Sequence, residues 1–129
     1  MNENQIGEAV IAAGIQVHRA LGPGLLESVY ETILAYEFQR RGLHVRRQVP
    51  IPIAYEGLNF DEGFRADLIV HDRVIIELKS VVQLTPAQRK QLQTYLRLSG
   101  LRLGYLFNCG ETLLRDGIVR AVNGLPDAE

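Results

Sequence analysis

The stretch Phe64-Arg-Ala-Asp-Leu-Ile-Val-His-Asp-Arg-Val-Ile-Ile-Glu-Leu-Lys-Ser80 constrains this chain more than any other. Runs rich in Val, Ile and Leu flank His71-Asp72-Arg73, and neither contains Gly or Pro. Such runs read as strands, and the polar centre as their turn. With Asp72 in the middle of a three-residue loop, Asp67 falls directly opposite Glu77. Opposed residues of an antiparallel pair share a face, with Cβ atoms about 4.5–5.5 Å apart. Side chains alternate with period two, so Lys79 joins that face, along with Ile69, Ile75 and Val81. The registers on either side would turn Glu77 to the other face. The spacing therefore predicts two carboxylates and an ammonium on one partly apolar patch of sheet.

Packing alone explains this poorly. Neighbouring carboxylates repel, and burial strips their hydration. A divalent cation relieves both costs. Mg²⁺ suits one or two carboxylates, with waters and phosphate oxygens filling its remaining positions. A Lys beside it can orient the attacking water or stabilise charge in the transition state. The competing reading is a structural ion cluster in which Lys79 bridges Asp67 and Glu77. Spacing alone leaves both readings open.

The remaining elements frame that hairpin. Ile6, Val10, Ala13, Val17 and Leu21 form one stripe of a helix over Gln5–Leu21, with Asn4 as its cap and a left-handed Gly22 as its stop. His18, near that end, reads as a structural residue. A second helix over Leu25–Arg41 has Leu26, Tyr30, Ile33, Leu34 and Phe38 as its apolar stripe. Glu27 lies in its first turn, bordering the inward face, where an acid also complements the helix dipole. Tyr30 reads as core, with its hydroxyl at the site edge. Val45–Tyr55 alternates as a strand, and Pro50 and Pro52 mark it as an edge strand or one bordered by a loop. Gly57–Gly63 reads as a turn or loop.

Thr85-Pro86-Ala87-Gln88 is a capping box with Pro at the first helical position, opening a helix to Ser99. Gln91 and Tyr95 share a face of that helix, while Arg89, Gln93 and Arg97 point elsewhere. Leu101–Cys109 reads as a buried strand. Asp116-Gly117 reads as a two-residue turn between Leu113–Arg115 and Ile118–Arg120. The tail from Leu125 reads as frayed. The order is α-α-β-β-β-α-β with a C-terminal hairpin: an α/β fold with a mixed β-sheet flanked by helices. It is expected as one domain over residues 1–129, with a core over about 5–122.

Asp67-x9-Glu77-x-Lys79 after a strand hairpin resembles the PD-(D/E)XK nuclease superfamily. Further stretches resemble the family named for its Gly-x-x-Glu-x-x-Tyr motif. They are Gly24-Leu-Leu-Glu27-Ser-Val-Tyr30, preceded by Val17-His-Arg-Ala-Leu-Gly-Pro23, then Val49-Pro-Ile-Pro52, Phe64-Arg-Ala-Asp67, Ile76-Glu-Leu-Lys79, Gln91-Leu-Gln-Thr-Tyr95 and Gly100-Leu-Arg-Leu-Gly104. The resemblance implies a PD-(D/E)XK core and a metal-dependent nuclease acting by water attack on a phosphodiester. Asp67 and Glu77 would hold Mg²⁺, with Mn²⁺ as a substitute and the Leu78 carbonyl as a third ligand. Lys79 would position water and stabilise charge. Glu27 would be an accessory metal or water ligand, and Gln91 would reach the water or a phosphate. Nucleic acid is the implied partner, DNA ahead of RNA. The family often has His where this chain has Gln88.

Composition fits a globular domain: 47% hydrophobic and 22% charged residues over 129 positions. The net charge of −1 does not advertise nucleic-acid binding, although a local basic patch suffices. Arg40, Arg41, Arg46, Arg47, Arg89, Lys90 and Arg97 are candidates for one, each also readable as an ordinary solvated charge. Cys109 stands alone, which excludes an intrachain disulfide and reads as a buried thiol. The first residues lack a basic segment followed by an apolar run, and no stretch approaches the roughly 20 apolar residues of a membrane span. A cytoplasmic setting without membrane contact is expected. The second functional class is a non-catalytic nucleic-acid-binding or protein-interaction module that keeps the fold. A homo-oligomer is compatible with either class.

Overall fold

The computed structural model describes residues 1–126. Helix α1 spans Glu3–Leu21, two residues longer at its start than the capping signal at Asn4 suggested. The cap is Asn2, whose side chain accepts from Gln5 N–H at 2.8 Å while Gln5 returns a bond to Asn2 N–H. Reciprocal bonding of this kind satisfies two otherwise orphaned donors. Asn4 lies within the helix and accepts from Arg120 at 2.9 Å. Gly22 ends α1 with φ +78° and ψ 175°, positive in φ but extended in ψ rather than left-handed helical. Ile6, Val10, Ala13 and Val17 are buried as expected, and Leu21 is exposed. The helix lies close to the sheet at Gly14, where a Cβ would sit 2.8 Å from the Phe107 ring.

Helix α2 spans Glu27–Arg40, and Leu26 is its exposed N-cap rather than part of its apolar stripe. Tyr30, Leu34 and Phe38 are fully buried. Removing a ring such as that of Phe38 commonly costs about 3–5 kcal/mol.

Strand β1 (Val45–Tyr55) turns through Glu56-Gly57 into β2 (Leu58–Val70). Both turn residues have positive φ, +48° and +84°, the signature of a two-residue hairpin whose twist matches its strands. The Gly57–Gly63 segment is thus mostly strand, not loop. The β1–β2 ladder carries an irregularity between Ile51 and Ile53, which accommodates the extra β2 residues.

Strand β3 (Val74–Lys79) follows the three-residue loop His71–Arg73 and pairs antiparallel with β2. Helix α3 (Pro86–Ser99) then crosses over to β4 (Leu103–Asn108), which runs parallel to β3. The Thr85–Gln88 capping box is present, and Gly100 closes α3 in the left-handed conformation. The last strand, β5 (Ile118–Val122), corrects the expected hairpin at Asp116-Gly117. Leu114–Gly117 is a 3₁₀ turn, and β5 pairs antiparallel with β4. The antiparallel return exists, but it spans a longer connection. The fully buried β4 offered a better partner than the three residues before the turn.

The sheet order is β1-β2-β3-β4-β5, a mixed five-stranded sheet with β1 outermost, as its prolines indicated. Helices α1 and α2 cover one face, packing on Leu68, Val70, Ile76, Leu78 and Phe107. Helix α3 covers the other through Leu92 and Leu96, against Ile69, Ile75 and Leu106. Leu125 is partly buried against the α1–α2 core, so the tail is packed there; residues 127–129 lie outside the described residues.

Candidate active site

The β2–β3 register pairs Leu68 with Ile76, Ile69 with Ile75 and Val70 with Val74. This is the register of the three-residue loop, and its next pair would be Asp67 with Glu77. The ladder stops one step short of it. Asp67 N–H donates to Glu77 Oε2 at 2.7 Å, and Leu78 N–H donates to Asp67 Oδ2 at 2.8 Å. Each carboxylate thus takes a backbone donor of the opposite strand. Beyond this point β2 continues alongside β1 only, so the two acids stand where β2 parts from β3.

The alternation of β2 also breaks there. Ala66 and Ile69 both belong to the α3-side core, while Leu68 and Val70 face α1 and α2. Strict period two, which the hairpin reading assumed through Asp67, fails at this step. Opposite it, Gln48 has φ +48°, and the regular β1–β2 pairs Arg47–Leu68 and Val49–Ala66 bracket an unpaired Gln48–Asp67 step. Asp67 lines a cleft of about 410 Å³ with Glu27, Ser28, Glu31, Gln48 and Leu78.

Glu77 is buried, 6% exposed. Burial and the neighbouring Asp67 charge push its pKa up to about 8; the Asp67 N–H bond and Lys79 oppose them. Lys79 is half-buried at the end of β3. Its carbonyl accepts from Cys109 N–H at 2.7 Å. None of the ion pairs among the described residues includes Lys79, so the bridged ion cluster is not formed.

Glu27 approaches from the start of α2, and its Oε2 accepts from Ser80 N–H at 3.1 Å. Ser80 Oγ also donates to the Leu25 carbonyl at 3.2 Å. The first turn of α2 is therefore tied to the exit of β3. Tyr95 on α3 lies near both acids, and Gln91, exposed on the same helix, bonds to Tyr95. Burial raises the Tyr95 pKa, Glu77 and Asp67 add repulsion, and a bond with Gln91 opposes them. The Tyr95 ring stacks on Phe64 at 3.9 Å. Gln88 is occupied by the cap.

Tyr30 departs from expectation. Its hydroxyl is not at the site edge but donates to the Gly22 carbonyl and lies 2.9 Å from His18 Nδ1. His18 Nε2 lies 2.6 Å from the Glu111 carbonyl, which can only accept, so this nitrogen carries the proton. His18 is structural, as its place at the helix end suggested. Cys109 is a buried thiol pushed up to about 12, chiefly by burial.

Two site residues escaped the sequence reading. Glu31 is buried, bound through one oxygen to Arg47 at 3.0 Å and through the other to the Gln48 amide. It stands four residues after Glu27, one helical turn along the same face, and that spacing was the available signal. Gln48, a polar residue in mid-strand, gave no comparable signal. Of the candidate basic residues, Arg40 and Arg41 pair with Glu37, Arg46 with Asp72 and Arg47 with Glu31.

A family model for the PD-(D/E)XK nuclease superfamily matches residues 4–121. The chain belongs to the PD-(D/E)XK nuclease superfamily. Members of this superfamily are usually metal-dependent nucleases, typically using divalent ions on nucleic acid. No curated protein and no solved structure matches the chain. No helix of the described residues is long and apolar enough to cross a membrane.

The donor chemistry at the β2–β3 parting fits a hard divalent ion. Asp67 and Glu77 offer oxygen only, and Glu77 is a carboxyl whose ionisation is opposed until positive charge arrives. Among the described residues, no three His, Cys, Asp or Glu side chains gather into a ready cage. Two carboxylates suit an ion that keeps much of its water, as Mg²⁺ does.

Proposed function

We propose that this PD-(D/E)XK protein is a metal-dependent nuclease of the Gly-x-x-Glu-x-x-Tyr type, hydrolysing phosphodiester bonds at the β2–β3 parting. The observation that carries the reading is the Asp67–Glu77 arrangement. Two carboxylates meet at the end of a ladder, neither in an ion pair with Lys79, and Asp67 borders an open cleft.

Asp67 and Glu77 would hold Mg²⁺ or Mn²⁺, with the Leu78 carbonyl as third ligand and Glu27 completing the shell. The bound ion would supply Lewis acidity toward the phosphate and lower the pKa of a coordinated water. Lys79, at the end of β3, would orient the attacking water and stabilise the charge that develops on the phosphate. Gln91 would hold that water or a phosphate oxygen from the α3 side. Tyr95, stacked on Phe64, fixes the α3 wall of the site. Nucleic acid is the substrate class, with DNA ahead of RNA.

The deciding experiment is cleavage of single- and double-stranded DNA and RNA, with Mg²⁺ or Mn²⁺ and with chelator. Cleavage that needs metal and disappears in Asp67→Asn supports the reading. Metal binding with no cleavage of any of the four substrates would leave the non-catalytic module in its place.

A further inference from the structure

Gln48 occupies an unusual position for a side chain that the nuclease reading leaves idle. It lies in mid-strand on β1 at φ +48°. L residues rarely adopt this region, and exceptions cluster where a site constrains the backbone. The β1–β2 pairing is regular on both sides of it. Its amide nitrogen donates to Glu31 Oε1 and, at 3.3 Å, to Asp67 Oδ1.

Chemistry fixes the orientation of that amide. Ionised carboxylates only accept, so the NH₂ end of Gln48 must face both acids, one hydrogen for each. Glu31 is further held by Arg47, which also donates to Thr32 Oγ1 at 2.8 Å. Glu31 is therefore a fixed post on α2, and Gln48 ties Asp67 to it. Asp67 is fixed at its other oxygen by Leu78 N–H. A carboxylate oxygen with one donor still has a lone pair for a second partner.

We propose that Gln48 is a positioning residue of the metal site: its amide bridges Glu31 and Asp67, keeping Asp67 oriented for the ion and separating two carboxylates that would otherwise repel. This inference rests on the nuclease reading, in which Asp67 is a ligand. Donors that orient metal-binding carboxylates commonly change affinity by about 10–100-fold when removed.

The test is Mn²⁺ titration followed by the electron-spin signal of the free ion, together with melting of the metal-free proteins. Gln48→Leu deletes the donors at similar size. Gln48→Gly deletes them while relieving the positive φ, so it serves as the second variant should Gln48→Leu fail to fold. Both variants are expected to bind Mn²⁺ about tenfold more weakly or worse. In a Glu31→Gln background, where one of the repelling charges is gone, Gln48→Gly is expected to lose clearly less. Unchanged Mn²⁺ affinity in Gln48→Gly would overturn the proposal, even if that variant melts lower. Tighter binding would also overturn it, since the amide would then be a competitor of the ion. A wild-type protein that binds no Mn²⁺ would instead remove the nuclease reading, and this inference with it.

Discussion

Asp67 gives its backbone N–H to Glu77 Oε2 at 2.7 Å, across the step where their two strands stop pairing. One bond thus both satisfies a backbone donor and holds a buried carboxyl beside a second acid.

Chemistry at this step should be easily lost. Asp67→Asn, Glu77→Gln and Lys79→Ala are each expected to lower cleavage by about 10²–10³-fold or more, the usual loss for a group that stabilises developing charge. Gln91→Ala should cost less. Single-turnover rates on one labelled duplex provide the comparison. Full activity in Asp67→Asn would place the reaction elsewhere.

The raised pKa of Glu77 predicts a pH-dependent fold. Its ordinary value is near 4.5, and in the folded protein it is pushed up to about 8. The folded state therefore binds the proton more tightly than the unfolded chain. This contribution to stability is fully present below about 4.5 and is lost as pH rises toward about 8. Metal-free wild type should melt progressively lower across that window, and Glu77→Gln should lack this component. Added Mg²⁺ should reverse the trend, because a ligand bound only by the native state stabilises it and metal binding favours the deprotonated carboxylate. Melts at several pH values, with chelator and with metal, test both slopes. A Glu77→Gln protein with the wild-type slope would reject the assignment.

Tyr30 is expected to matter for stability rather than chemistry. Tyr30→Phe removes the hydroxyl shared by His18 and Gly22 and leaves His18 Nδ1 buried without a partner. Stranding such a group costs about 1–3 kcal/mol. Urea titration should show that loss, while cleavage under folding conditions stays near wild type. A collapse in rate with unchanged stability would return Tyr30 to the site.

Asn108 should be equally intolerant. Its fully buried side chain accepts from Val81 and Gly110 N–H groups and donates to the Val81 carbonyl, continuing the β3–β4 contact past the last strand residue. Asn108→Ala leaves three backbone groups without their partner, for an expected loss of about 2–4 kcal/mol. At Gly110 a Cβ would fall on the Val81 carbonyl and lie 2.8 Å from Val81 N. Gly110→Ala should therefore also destabilise, by about 1–3 kcal/mol. Denaturant midpoints measure both.

Most of the scaffold was legible in the residues. Capping chemistry marked the start of α3, and the β2–β3 register followed from an odd loop between two apolar runs. Local signals misled where tertiary pairing overrode them. The acidic Asp61-Glu62 and two glycines made the first half of β2 look like loop, although β1 was there to pair with it. Asp116-Gly117 looked like a tight turn, but β4 had an open edge for β5. Asp67, Glu77, Lys79, Glu27 and Gln91 could be put forward as candidates because each belongs to a short motif. Gln48 was not, since its role depends on a backbone twist and on an acid that reaches it only in three dimensions.

The parting of β2 from β3 also bears on how the protein is made. Asp67 and Glu77 are joined by a short local hairpin, and hairpins close in about 1–10 μs. Strand β3, however, is buried and must also pair with β4, which the chain reaches only after α3. On a ribosome the two acids would thus meet while the strand carrying Glu77 still lacks its second neighbour. Completion of the sheet around the two acids then waits for the C-terminal half of the chain.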